Sequence, residues 1–276
     1  MLYENVTHPD DVRLAPYRRV RDADLAAWPG APAGLFMAES RSVIASAIEV
    51  GVRPHSFLVS ETWAVDAAPL AGRLLAKYPD CPAICVSDSL FSQVTGYKII
   101  RGPVAAFERA PLPDPEALLQ NAHRIAVLED VGNYANIGSA FRAAHAFGID
   151  AVLVTPSCHD PLFRRASRTS AGTTLKVPWT RIGTERQWAR EGVPLLHKAG
   201  FKVAALALED DSIALGDPVL AHIDKLAMVL GTEGAGLLPS TISACDYTVK
   251  IPMSHGVDSL NVAAASAVAF WEVRRS

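Results

Sequence analysis

Short apolar runs alternate with segments of helical periodicity in the first part of the chain. The apolar runs predict four strands, at 34–39, 56–61, 83–88 and 104–108. Helices are expected between them, at 40–50, 67–78 and 89–95. Ser40 is a suitable N-cap for the first helix, and Gly51 is its expected stop. This order indicates a small α/β domain that follows a helical N-terminal arm.

The same alternation continues in the second part of the chain. Strands are predicted at 124–130, 151–156, 202–208, 226–231 and 248–253. Helices are predicted at 136–147, 161–168, 184–199 and 259–274. The run 226–231 is apolar throughout, as is typical of a central parallel strand that is buried on both faces. We therefore expect an α/β fold with a mostly parallel sheet and helices on both faces.

A proline-rich segment, RAPLPDPE at 109–116, separates the two parts. Proline removes a backbone donor and disfavours helix in the residue before it, so the segment is interpreted as a linker. The predicted organisation is an N-terminal arm and domain over 1–108, a linker over 109–122, and a second domain over 123–276.

Composition narrows the class of protein. The longest apolar run, Val262 to Trp271, is interrupted by Ser266 and is much shorter than the roughly 20 residues that span a bilayer, so no membrane partner is expected. The N-terminus carries no apolar segment of the signal-peptide type. The cysteines show neither a disulfide framework nor zinc spacing and are predicted to be buried free thiols: Cys81, Cys85, Cys158 and Cys245. These features favour a cytoplasmic protein.

The net charge of −3 excludes a uniformly basic nucleic-acid binder, but the charge is uneven. Residues 155–190 contain seven basic and two acidic residues, an excess of +5. Such a span is either an electrostatic footprint for nucleic acid or a solvated face. Its candidate contact residues are Arg164, Arg165 and Arg168, unless these side chains pair with carboxylates inside the fold.

Three loops, at 129–142, 231–239 and 252–261, follow predicted strands and carry unusual residues. In open parallel sheets, ligands bind beyond the carboxyl ends of the strands. In the first loop, Asn136 is a candidate N-cap, and Gly138 in the first helical turn suggests the close approach of another group. Arg142 projects on the same face four residues later.

The second and third loops are rich in backbone breakers and polar side chains. Three glycines surround Glu233 in GTEGAGL, but their order fits neither a dinucleotide fingerprint nor a P-loop. Glu233 has no adjacent His or Cys, so no metal site is expected. In the third loop, Asp258 or Ser259 is expected to cap the final helix, and Asn261 to lie in its first turn. That helix is apolar on all sides and is predicted to be buried.

Three ordered motifs resemble those of the SpoU (TrmH-like) class of SPOUT RNA 2′-O-ribose methyltransferases. They are NIGSAFRAAHAFG (136–148), LGTEGAGL (230–237) and IPMSHGVDSLNVAAASA (251–267). The segment SRTSAGTTLKVP (167–178) is also similar to the family pattern. Residues 34–108 more weakly resemble its ribosomal-protein-like, RNA-binding substrate domain. The family often begins its first motif with Asp-Pro-x-Asn, whereas here Tyr134 and Ala135 precede Asn136.

The resemblance implies a C-terminal trefoil knot, an exception to the rule that chains are unknotted, and a homodimer. It also implies that the two later loops wrap S-adenosylmethionine. The implied cofactor-binding residues are Leu230, Gly231, Thr232, Glu233, Gly234, Ile251, Met253, Ser259 and Leu260.

The implied reaction is methyl transfer to a ribose 2′-OH of tRNA or rRNA. The residues carried over as catalytic are Asn136, Arg142, Glu233, Ser259 and Asn261. In the family the counterpart of Arg142 is proposed as the base. Arginine is very hard to deprotonate, so clamping a phosphate and orienting the hydroxyl is the physically easier role.

Three other functions compete with this interpretation. A SPOUT methyltransferase that acts on a base nitrogen remains open, although the Ser-Leu-Asn sequence favours ribose. A non-catalytic RNA-binding protein would leave the joint occurrence of Arg142, Glu233 and the Ser259-x-Asn261 pair unexplained. A Rossmann dehydrogenase is disfavoured because its glycine fingerprint is missing.

Overall fold

Two compact units make up the chain. One contains Met1–Pro111 and Leu162–Leu175, and the other contains Leu112–Pro161 and Lys176–Ser276. The computed structural model describes residues 2–96, 102–185, 187–232, 234–255 and 259–275. No helix within these ranges is both long enough and apolar enough to cross a lipid bilayer.

Strands and helices alternate through both units. The strands are β1 (Glu4–Asn5), β2 (Leu35–Glu39), β3 (Pro54–Ser60), β4 (Ala83–Val86), β5 (Val104–Glu108), β6 (Arg124–Leu128), β7 (Ala151–Val154), β8 (Trp179–Arg181), β9 (Lys202–Leu206), β10 (Ile213–Ala214), β11 (Leu226–Leu230) and β12 (Tyr247–Lys250). The helices are α1 (Asp22–Ala26), α2 (Arg41–Val50), α3 (Glu61–Lys77), α4 (Asp88–Thr95), α5 (Pro115–Leu119), α6 (Tyr134–Ala146), α7 (Arg164–Thr169), α8 (Trp188–Lys198), α9 (Pro218–Ala221), α10 (Pro239–Ala244) and α11 (Val262–Val273).

A five-stranded sheet in the order β1-β4-β3-β5-β2 organises the first unit. Strand β4 runs parallel to β1 and β3, whereas β5 runs antiparallel to β2 and β3. The four predicted strands are confirmed. So are both predicted ends of α2, because the Ser40 hydroxyl accepts from the Val43 N–H at 3.3 Å and Gly51 closes the helix in the left-handed conformation.

The segment 162–175 belongs to the first unit, although the sequence placed it in the second domain. Its helix α7 packs against β2, and its 3-10 turn at Thr173–Leu175 packs against α2. The small residues Ala166, Ser167 and Ser170 are fully buried there. The expectation of one continuous domain over 123–276 is therefore corrected by this packing.

The second unit contains a seven-stranded sheet in the order β10-β12-β9-β11-β6-β7-β8. All of its strand pairs are parallel. Ile125 and Val127 of β6 join a buried cluster with Trp188 and Leu196 of α8, while α6 and α11 pack against each other. The parallel sheet flanked by helices is the architecture expected from the sequence.

The predicted linker over 109–122 is too long. Asp114 caps α5 by accepting from the N–H groups of Glu116 and Ala117 at 2.9 and 3.2 Å. Leu119 at the end of this helix is fully buried in the core of the second unit. Proline is compatible with the first position of a helix, so Pro115 begins α5 rather than preventing it.

Candidate active site

A cavity of about 420 Å³ lies in the second unit, beyond the carboxyl ends of β9, β11 and β12. Because parallel strands present these ends at one edge of the sheet, separate loops converge there. Eight of the nine predicted cofactor-binding residues line the cavity: Leu230, Gly231, Thr232, Gly234, Ile251, Met253, Ser259 and Leu260. The ninth, Glu233, lies outside the described residues, so the structure does not describe its predicted catalytic and binding roles.

The sequence did not identify the wall of the cavity that follows β9. It consists of Leu206, Ala207, Leu208 and Glu209. Strand β9 lies between β11 and β12, so its carboxyl end leads to the same edge as theirs. The available signal was the apolar strand predicted at 202–208, but strand order is needed to place its end at the site.

Backbone groups of Gly231, Thr232, Gly236 and Leu237 come unusually close together. A Cβ atom on Gly231 would lie 2.4 Å from the carbonyl carbon of Gly236 and 2.7 Å from the nitrogen of Leu237. The Gly236 N–H also donates to the Thr232 carbonyl at 3.2 Å. Gly234 and Gly236 have φ values of 85° and 67°, which glycine adopts without strain. The glycines thus allow a tightly folded loop whose main chain borders the cavity.

Asn136 and Asn261 connect the starts of two packed helices. The Asn261 Nδ2 donates to the Asn136 Oδ1 at 3.3 Å, and Asn136 is only 7% exposed. The structure therefore brings together two residues that lie 125 positions apart in the sequence. It also joins the first and third of the predicted loops.

The capping roles differ from the prediction. Helix α6 is capped by Asn133, whose side chain accepts from the Ala135 N–H at 2.9 Å, and Asn136 therefore lies within the first turn. Helix α11 is capped by Asn261, which accepts from the Ala263 N–H at 2.9 Å, rather than by Ser259. The other predicted cap, Asp258, lies outside the described residues.

The remaining described catalytic candidates occupy different positions around this pair. Ser259 borders the cavity and is exposed. Arg142 lies further along α6 with an exposed side chain, and Gly138 is buried in the same helix. Because Arg142 is exposed and Asn136 is buried in the first turn of the same helix, the Arg142 side chain is available to a substrate that binds on the surface of α6.

The three arginines predicted to contact RNA all lie on α7, in the first unit. The Arg164 Nε donates to Asp22 Oδ1 at 2.8 Å, and its Nη2 donates to the Val20 carbonyl. Arg168 lies 3.6 Å from a Glu39 carboxylate oxygen, and Arg165 is exposed. Arg164 is thus held within the fold, so the three arginines are not equivalent.

Another arginine of the basic span also has a structural role. Arg181 donates from Nη1 to the carbonyl oxygens of Thr155, Pro156 and Cys158, at 3.2 to 3.3 Å. These bonds fix the chain as it leaves β7. The charge excess over 155–190 is therefore used partly to bind backbone carbonyls.

The four cysteines are free thiols, as predicted, with three buried and Cys245 partly buried. Burial raises the pKa of Cys158 above its ordinary value. Burial, together with the charges of Asp246 and Glu129, raises the pKa of Cys245 to about 12. Burial thus disfavours the thiolate form of both side chains, which is the reactive form of cysteine.

Residues 123–271 match the model of the SpoU rRNA Methylase family. The chain belongs to this family. A relative, the Mycobacterium tuberculosis protein Rv0881, is named as an uncharacterised tRNA/rRNA methyltransferase; it is 33% identical, over 99% of this chain and 92% of its own. The 23S rRNA (guanosine-2′-O-)-methyltransferase RlmB of Acinetobacter baylyi is 35% identical, over 68% of this chain and 75% of its own.

Solved structures of two other proteins share the fold of this chain. The AdoMet-bound rRNA methyltransferase of Sinorhizobium meliloti matches with a TM-score of 0.81 and 19% identity, over 99% of this chain and 98% of its own. The SpoU methyltransferase AviRb of Streptomyces viridochromogenes matches with a TM-score of 0.74 and 22% identity, over 95% of each chain. At these identities the likeness establishes the fold alone.

Proposed function

We propose that this SpoU-family protein is an S-adenosylmethionine-dependent methyltransferase that modifies a ribose 2′-OH of tRNA or rRNA. The observation that carries the proposal is the cavity at the carboxyl ends of β9, β11 and β12. It lies in the same unit as the Asn136–Asn261 pair. The relatives of this protein that are named as RNA methyltransferases, including RlmB, support the same reaction class.

The cavity fits a nucleoside-like cofactor. Its volume is within the range of about 300 to 1,000 Å³ that holds small ligands. Leu206, Leu230 and Leu237 supply apolar surface for a flat base, and the glycine-rich main chain supplies donors and acceptors beside it. When bound, S-adenosylmethionine supplies an activated methyl group on its sulfonium.

The protein's own residues then position the acceptor hydroxyl. We assign Arg142 to holding an RNA phosphate and orienting the hydroxyl, because a guanidinium offers several donors in a fixed plane. Asn136 and Asn261 hold the two loops in register through their side-chain hydrogen bond. Glu233 and Ser259 are proposed to contact the cofactor or the ribose. Positioning of this kind supplies much of the rate enhancement in a transfer between two bound reactants.

The family resemblance adds three structural proposals. The segments 231–237 and 252–260 form a trefoil knot, residues 34–108 form an RNA-binding substrate domain, and two copies of the chain form a dimer. An apolar stripe on α11 supports the dimer. The buried face of α11 packs on α6, but Val268 and Trp271 remain 41% and 53% exposed, although the Trp271 ring also contacts Phe147 at the end of α6. The helix is expected to be buried between two subunits, and the apolar surface left exposed in one chain supports that proposal.

We also propose a cytoplasmic location. The free thiols support it, because secreted proteins of this size commonly oxidise their cysteines to disulfides.

The cofactor claim is tested by calorimetry on the full-length protein. We expect S-adenosylmethionine and S-adenosylhomocysteine to bind with one site per chain, and NAD neither to bind nor to compete. Binding of NAD in place of S-adenosylmethionine would reject the proposal in favour of a dehydrogenase.

The reaction is tested by mass-spectrometric mapping of methylated nucleosides in total RNA from cells with and without the gene. We expect one 2′-O-methylated nucleoside to disappear without the gene and to be restored by purified protein. Loss of a base-methylated nucleoside would instead support the alternative, action on a base nitrogen. An unchanged methylation map together with RNA binding would support the non-catalytic alternative.

A further inference from the structure

A buried carboxylate stands directly after strand β6. Glu129 is 1% exposed, and its backbone N–H donates to the carbonyl of Leu230 at 2.8 Å. A buried charge is costly unless donors surround it. Here three donors point at the carboxylate: the indole Nε1 of Trp188, the hydroxyl of Thr241 and the backbone N–H of Leu238, the last at 2.7 Å.

Two of these donors belong to the start of α10. Leu238 is the N-cap of this helix, and its own side chain provides no capping hydrogen bond. Thr241 is fully buried in the first turn. Glu129 therefore takes the place of a cap, accepting from an N–H that the helix cannot satisfy itself. These two hydrogen bonds connect the first turn of α10 to the residue that follows β6.

Leu238, which donates to the Glu129 carboxylate, directly follows the glycine-rich loop of the cavity. Leu237 lines the cavity, and its nitrogen is one of the atoms that a Cβ on Gly231 would meet. The residues that flank the loop are Leu230 and Leu238. Leu230 accepts a hydrogen bond from the backbone N–H of Glu129, and Leu238 donates one to the Glu129 side chain. Both ends of the loop are held by a single residue.

We propose that Glu129 is a positioning residue for cofactor binding. It keeps the backbone of Gly231, Gly236 and Leu237 in the close arrangement described above, so that this backbone meets S-adenosylmethionine without first having to be ordered. A preformed site binds more tightly because less freedom is lost on binding. This inference rests on the proposed function, and it adds a residue that contacts the loop rather than the ligand.

The test compares three variants: one replaces the carboxylate itself, and the other two each remove one of its side-chain donors. Glu129→Gln places an amide opposite donors and cannot satisfy them all. Thr241→Val removes the hydroxyl that holds α10. Trp188→Phe is the matched control, because it removes a donor from α8 and leaves the attachment of the loop intact. All three are expected to lower the thermal unfolding midpoint, since each disturbs a buried hydrogen bond.

Cofactor affinity is expected to separate the variants. Glu129→Gln and Thr241→Val should raise the calorimetric Kd for S-adenosylmethionine about tenfold and raise its KM similarly, with kcat at saturating cofactor within about threefold of wild type. Trp188→Phe should keep Kd within about twofold. Hydrogen exchange should quicken for the amides of residues 234–238 in the first two variants only.

An unchanged Kd in Glu129→Gln, or an equal increase in Trp188→Phe, would overturn the inference and leave Glu129 with a role in stability alone. If Glu129→Gln does not fold, the Kd of Thr241→Val decides between the same two outcomes. Failure of the wild-type protein to bind S-adenosylmethionine would count against the proposed function instead, and the two failures are therefore distinguishable.

Discussion

At the scale of single residues, Arg142 is the most direct test of the mechanism. Arg142→Ala should leave S-adenosylmethionine affinity near wild type, because this side chain is assigned to RNA and not to the cofactor. Methyl transfer in a single-turnover assay should fall at least ~100-fold, as expected for loss of a positioning or proton-transfer group. Arg142→Lys should not restore it, because an ammonium lacks the planar set of donors.

His145 provides the control for this experiment, since it is exposed on the same helix one turn later. His145→Ala should transfer methyl groups at close to the wild-type rate. A fully active Arg142→Ala protein would remove Arg142 from the mechanism.

The basic residues near α7 lead to a second prediction at this scale. Arg164→Gln should lower the thermal unfolding midpoint, because Arg164 is paired with Asp22 and bound to the Val20 carbonyl. Arg165→Gln should leave stability unchanged, because Arg165 is exposed. If Arg165 contacts a phosphate of single-stranded RNA, its loss should flatten the slope of log K against log salt by about 0.7.

The thermal unfolding midpoint and the salt dependence of RNA binding are both measured on Arg164→Gln and Arg165→Gln. A lower midpoint in Arg165→Gln with an unchanged salt slope would withdraw the RNA-contact role of that residue. A flatter slope in Arg164→Gln without loss of stability would mean that its pairing with Asp22 is unimportant.

Sequence motifs predicted which residues form the candidate site better than they predicted local roles. Eight of the nine residues that the motifs assigned to the cofactor line the cavity, and the motifs placed Asn136 and Asn261 in one set of catalytic candidates. The choice of caps did not follow, because Asn133 and Asn136 are equally good capping residues by type. The burial of Asn136 and Ile137 in the first turn selects Asn133 as the cap, and burial depends on tertiary packing.

At the scale of elements, α11 carries the prediction about assembly. We expect sedimentation to give about twice the chain mass at micromolar concentration. Trp271→Glu should shift the protein towards a monomer, because it places a charge in the exposed apolar stripe formed with Val268. Glu272→Gln, an isosteric change at an exposed residue on the same face of α11, should leave the dimer intact. A wild-type monomer that still methylates RNA would contradict the dimer proposal.

Long periodic elements were predicted well, whereas short or atypical ones were missed. Helix α3 was expected to begin at 67 but begins at Glu61, because its first turns are solvated and include Val65 at 86% exposure. They therefore carry no apolar stripe. Strand β8 has only three residues, which is too short for a period to be recognised.

At the scale of the whole molecule, chain order and spatial grouping disagree at one segment. Residues 162–175 complete the first unit although second-unit sequence flanks them on both sides. The amino-acid pattern predicted the helix near 161–168 but not the unit in which it packs. Small residues such as Ala166 and Ser170 do not specify a packing partner. A single domain boundary at the proline-rich linker therefore does not fully describe the two units, because residues 162–175 belong to the first unit.

Gly172 tests whether this segment is packed in the first unit. It has a φ of +89°, and a Cβ there would lie 2.7 Å from the Ser46 hydroxyl and 3.2 Å from the Val43 Cα, both on α2. Gly51, at the end of α2, is the matched control. Its φ is +83°, and a Cβ there would meet only the flexible tip of Lys77 at 3.4 Å.

Both alanine variants should be destabilised by the backbone conformation, at about 1–2 kcal/mol each. Gly172→Ala should lose about 1–3 kcal/mol more in urea unfolding, because the added methyl overpacks a closed contact with backbone as well as side-chain atoms. The difference between the two variants measures the packing of the segment on α2, since the backbone term is common to both. Equal free energies of unfolding would mean that residues 162–175 do not pack there, and that the first unit is complete without them.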